Sequence, residues 1–171
     1  MLRKASEAWV ILLLIWSIMA GSLVAGDRWS ITHDALGPIE IRMPLEAALR
    51  IAGGKYVVTR KTRMQEGNVY PVYEVQEGKM LQFLIEPSAN GKGIERLDIR
   101  SPDFRTSHGI GVGSTLADVR KAFSRVSLVP GDGGQGVAVV PNVPGYSFVF
   151  AKPHPAEADT VTRILIWPTN E

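Results

Sequence analysis

The feature that most constrains this chain is an internal echo. Ile39-Glu40-Ile41-Arg42-Met43-Pro44-Leu45-Glu46-Ala47-Ala48-Leu49-Arg50 returns as Ile110-Gly111-Val112-Gly113-Ser114-Thr115-Leu116-Ala117-Asp118-Val119-Arg120-Lys121. Self-similarity at a fixed spacing signals a repeated structural unit. In each copy an extended or turning lead-in runs into a short helix. Leu45, Ala48 and Ala52 fall on one helical stripe, as do Leu116, Val119 and Phe123. Pro44 suits a first helical turn, Thr115 with Asp118 offers an N-cap, and Gly53-Gly54 marks a helix end.

The strands echo too. Ile94-Glu95-Arg96-Leu97-Asp98-Ile99 parallels Val161-Thr162-Arg163-Ile164-Leu165-Ile166. Met80–Ile85 and Tyr146–Phe150 are apolar and aromatic enough for strands. Tyr56–Thr62 and Val69–Gln76 complete the first half, and Val126–Val129 and Gly136–Val140 the second. Turn signals stand at Glu66-Gly67-Asn68, Glu77-Gly78 and Asn90-Gly91. One three-turn helix cannot cover both faces of a sheet. The expected fold is therefore α+β: a tandem duplication, about 36–102 and 107–168, each half a short helix followed by three to four antiparallel strands, the halves forming one shared sheet.

The N-terminus reads as an address. Arg3 and Lys4 precede the apolar run Val10–Ala20, and small residues follow up to Gly26. That is the layout of a secretory signal over residues 1–26, ending after Ser22, Ala25 or Gly26. An uncleaved anchor is the alternative, since Trp9–Gly26 is about long enough to span a bilayer. Residues 27–171 are then one exported domain, periplasmic in a bacterial cell. Without Arg3, Lys4 and Glu7, 17 basic residues face 16 acidic ones. This near neutrality gives no support to nucleic-acid binding. The chain has no cysteine, which excludes disulfides, thiolate catalysis, Cys-ligated zinc and a lipidated N-terminal cysteine.

No catalytic set emerges. His33, His108 and His154 lack metal-ligand spacing, so no metal site and no cofactor are expected. Ser107 and His108 are adjacent in sequence, whereas nucleophile and base usually meet in space. Gly109-x-Gly111-x-Gly113 lacks phosphate-loop spacing and reads as a glycine-lined bend. Partner contact is the expected role of exposed loops, so the residues singled out are Ser107, His108 and Gly109 in one loop, and Asp132 and Gln135 in the glycine-rich segment 130–136. Lys55, Arg60, Lys61 and Arg63 form a basic cluster along a strand. Alternation puts Lys61 and Arg63 on one face and Arg60 on the other. This suits a charge-protected edge strand, or a surface for an acidic partner.

The two helix lead-ins, Ile41–Leu49 and Val112–Arg120, resemble the Gly-Met-Ser/Thr-x-x-x-Val start of β-lactamase-inhibitor-protein-like domains and small outer-membrane assembly lipoproteins, with Arg42 where those have Gly. The resemblance implies a fold that grips proteins with its loops and a sheet face. Size and export are also similar to periplasmic immunity proteins, which implies occlusion of a cell-wall hydrolase of amidase or lysozyme type. The other function expected is a non-enzymatic envelope scaffold that binds assembly proteins or lipid.

Overall fold

The computed structural model describes residues 29–65 and 67–169. The expected signal segment, 1–26, lies outside the described residues, as does Glu66 of the expected turn.

Two helices form where the apolar stripes predict them. Helix α1 spans Leu45–Gly53 and buries Leu45, Ala48 and Ala52. Helix α2 spans Leu116–Ala122 and buries Leu116 and Val119. A full capping box opens α2: the Thr115 side chain accepts from the Asp118 amide, and the Asp118 carboxylate accepts from the Thr115 amide. Both lead-ins are stapled alike. The Arg42 amide donates to the Ile94 carbonyl, and the Gly113 amide to the Val161 carbonyl.

Strands dominate the rest. β1 (Ser30–Ile31), β2 (Ala35–Leu36), β3 (Ile39–Glu40) and β8 (Arg105–Thr106) make a four-stranded sheet in the order β3-β2-β1-β8. The large sheet comprises β4 (Val57–Gln65), β5 (Asn68–Glu77), β6 (Met80–Pro87), β7 (Ile94–Ile99), β9 (Ser127–Pro130), β10 (Gly136–Val139), β11 (Tyr146–Phe150) and β12 (Val161–Ile166). Its order is β4-β5-β6-β7-β12-β11-β10-β9. All its pairings are antiparallel, and Ile99 lies opposite Ile164 where β7 meets β12.

This corrects the expected fold. The protein is mostly β, 46% strand against 14% helix, in two sheets; it is not a helix-plus-strand repeat sharing one sheet. The physical reason lies in segments 29–40 and 105–106. Ile31, Leu36 and Ile39 are buried by pairing into the small sheet, which joins the short helices in covering the core. Two- and three-turn helices alone leave too little apolar surface to close an eight-stranded sheet.

The core is one cluster on one side of the large sheet, including Phe83, Ile85, Leu97, Ile99, Phe148, Ile164 and Ile166. Trp29 packs edge-on to Tyr56 at 5.2 Å between centroids and lies 5.8 Å from Phe83. Alternation sends the intervening residues to the opposite face. That second face carries Arg63, Tyr70, Glu86, Arg96, Asp98, Arg163 and Trp167, and it is where the chain concentrates its charge pairs.

Candidate functional site

The hairpin of β4 and β5 is longer than the sheet that supports it. β4 pairs with β5 without a register shift from Val57 opposite Gln76 to Gln65 opposite Asn68. β5 pairs with β6 only from Tyr73 opposite Ile85 to Glu77 opposite Met80. The five rungs from Lys61–Val72 to Gln65–Asn68 therefore extend past the last β5–β6 rung as a two-stranded arm, the first two level with Glu86 and Pro87 and the last three beyond the end of β6. At roughly 3.4 Å per residue the arm is about 17 Å long. Two prolines explain where support stops. Continuing the register two residues beyond Tyr73–Ile85 would set Pro71 opposite Pro87, and neither has an amide proton to give.

Side chains replace the missing ladder at the base of the arm. Arg63 donates to one Glu86 oxygen at 2.6 Å, and Arg96 of β7 donates to the other. The Arg96 guanidinium also lies over the Trp167 ring, 5.1 Å from its centroid. Between arm and sheet runs a groove of about 310 Å³ lined by Arg63, Tyr70, Val72, Glu86, Arg96 and Trp167, among others. Farther along the same face, Asp98 is fully buried. It accepts two hydrogen bonds from Arg100, at 2.7 and 2.8 Å, and one from Arg163 at 3.2 Å.

The arm itself displays what the interior usually hides. Met64 is 75% exposed, Val69 62% and Tyr70 46%. Large apolar side chains gathered at one projecting end are the usual mark of a contact surface. β4 adds Arg60, Lys61 and Arg63 and holds no acidic residue. The arrangement fixes the arm at its base and presents a basic, apolar edge beyond it.

The residues singled out by sequence are dispersed. Ser107, His108 and Gly109 are exposed in the turn after β8, with Gly109 at φ +78°. The His108 ring lies 4.9 Å from that of buried Phe123, and its Nδ1 is 3.3 Å from the Ser107 hydroxyl. Asp132 is exposed in a single 3-10 turn, Asp132–Gly134. Gln135 is instead engaged by its own sheet, accepting from Arg163 at 2.6 Å. The depressions beside His108 include neither Asp132 nor Gln135, so the two loops do not converge on one cavity. The glycine-lined bend packs closely: a Cβ on Gly111 would stand 2.6 Å from the Phe104 carbonyl oxygen. Among the described residues there is no cluster of three or more His, Asp or Glu able to hold a metal. Sequence reasoning named Arg63, Arg60 and Lys61 but missed Met64, Tyr70, Glu86, Arg96 and Trp167. The two prolines, Pro71 inside one strand and Pro87 at the end of the next, were the available signal.

The perturbed titrating groups sit elsewhere. Hydrogen bonds from the Thr115 amide and hydroxyl hold Asp118 below its ordinary value. Lys152 and the Ala156 amide do the same for Asp159. Burial pushes the Tyr146 phenol up.

Comparison with known proteins gives a family and a fold. The family described as "Protein of unknown function (DUF1131)" matches residues 14–154. The crystal structure of the uncharacterized protein YfeY from Escherichia coli superposes with a TM-score of 0.64 at 19% identity, covering 81% of this chain and 99% of that one. No curated protein matches.

Proposed function

The chain belongs to the DUF1131 family. We propose that it is an exported, non-enzymatic protein-binding module that inhibits a cell-wall hydrolase of amidase or lysozyme type by occluding its cleft. The observation that carries this reading is the arm, five rungs of hairpin beyond the support of β6 with Met64, Val69 and Tyr70 exposed. A two-stranded hairpin alone is marginal in water. The clamp of Arg63, Glu86 and Arg96 at its base pre-organises it, which reduces the ordering cost of binding. The basic side chains of β4 complement the paired carboxylates that line a glycan-cleaving centre. Arg3, Lys4 and the apolar run 10–20 support export to the periplasm. Among the described residues no helix is long and apolar enough to cross a membrane.

Occlusion is tested by incubating the purified chain with the cell-wall hydrolases it retains and measuring their turnover. Stoichiometric loss of activity supports the reading. Retention of outer-membrane assembly proteins with no hydrolase would replace it with the scaffold. Two variant sets then assign the contact: Met64→Asp with Tyr70→Asp on the arm, and Ser107→Ala with His108→Ala on the exposed turn.

A further inference from the structure

The two edges of the large sheet are built differently. β9 is four residues long and ends at Pro130, so it offers few backbone groups to a newcomer. β4 is nine residues long, contains no proline or glycine, and pairs with β5 without a bulge. Alternate residues along such a strand direct their N–H and C=O groups away from the sheet. Among the described residues no strand pairs with that outer side.

Charge selects the newcomer. A second copy of β4 laid antiparallel on the first in full overlap would set Lys61 opposite Lys61 and bring Arg60 and Arg63 to cations on the diagonals, and like charges across a strand pair are destabilising. An extended segment with a carboxylate on one face meets Lys61, and one with a further acid in the other phase meets Arg60, while Arg63 stays on Glu86. We infer that β4 is a strand-addition site that takes an extended acidic segment of a protein partner as one more strand of the eight-stranded sheet. This inference rests on the protein-binding reading above and specifies how the partner is held.

The test uses the full-length chain and synthetic peptides of three kinds matching β4 in length, nine residues. The first alternates Glu with Thr and Val, the second replaces each Glu by Lys, and the third carries N-methyl groups on alternate residues of the Glu sequence, made in both frames. Hydrogen exchange followed by NMR reads the amides. The Glu peptide is expected to protect every second amide of β4. N-methylation in the pairing frame is expected to weaken it about tenfold or more, as is Arg60→Glu with Lys61→Glu. The Lys peptide is expected not to bind. Equal affinity for both N-methylated frames and the parent, protection without a two-residue period, or no binding of the Glu peptide would each overturn the inference. Strand addition by the peptide with no hydrolase inhibited would remove the proposed function and leave this inference standing. A hydrolase inhibited equally by wild type and by the Arg60→Glu, Lys61→Glu variant would do the reverse.

Discussion

Arg63 of β4 reaches across β5 to Glu86 of β6 at a level where β5 and β6 no longer pair, through a 2.6 Å hydrogen bond beyond the last β5–β6 rung. The pair is half-buried, with side chains 33% and 17% exposed, so its worth is reduced by solvent screening. Arg63→Ala should cost about 1 kcal/mol or less in global stability. Its larger effect is local. Amides of residues 61–65, 68–70 and 72 should exchange faster while those of β7 and β12 stay unchanged, as hydrogen-exchange mass spectrometry can check.

Asp98 is the opposite case, a carboxylate with no solvent contact held by Arg100 and Arg163. Removing one member of a buried ion pair strands the others. Asp98→Ala should destabilise the fold by about 3 kcal/mol or more, measured by urea denaturation. Asp98→Asn, which keeps the shape, should cost less.

Acid sensitivity should trace to Asp118 and Asp159. Both are held below the ordinary aspartate value of 3.8, Asp118 first by the Thr115 amide and Asp159 first by Lys152. A depressed folded value means these groups stabilise above the unfolded value, and that contribution is lost as pH falls through the folded one. Asp118→Asn with Asp159→Asn should therefore flatten the decline in Tm below about pH 4 and leave the neutral plateau lower. Thermal melts between pH 2 and 7 decide it. At neutral pH, Thr115→Ala should cost about 1 kcal/mol through loss of the cap on α2.

Gly113 and Arg42 occupy matching lead-in positions, at φ +88° and +69°. No atom beyond the adjacent residues lies within 4 Å of a Cβ built on Gly113, so Gly113→Ala tests backbone strain and should cost about 1 kcal/mol. Arg42→Gly should move stability less, because relief of strain is offset by greater freedom in the unfolded chain. Paired denaturation curves separate the two.

The helices, their buried stripes and most of the large sheet were legible because their apolar periods are long enough to read: Leu45, Ala48 and Ala52 in α1, the MLQFLI run of β6, the YSFVF run of β11. The small sheet was not legible. Its strands are two residues each, a single period of alternation and too short to show a pattern. The arm escaped notice for a different reason. Val69 and Tyr70 look like ordinary strand residues, and only the point at which β6 stops beside Pro71 shows that they have no third strand to pack against. The hold of Arg163 on Gln135 was not legible because the two are 28 residues apart in sequence.

On the proposed function, the arm holds and blocks a hydrolase. The direct measurement compares wild type with a variant in which residues 62–71 are replaced by Asn-Gly, closing the hairpin at Lys61 and Val72 with a two-residue turn. Each is used to retain proteins from envelope and secreted extracts, and the retained cell-wall hydrolase is assayed. Wild type should retain a hydrolase and abolish its activity at equal concentration, while the shortened variant melts normally and does neither. A well-folded shortened variant that inhibits as strongly as wild type, or a wild type that retains no hydrolase, would contradict the account.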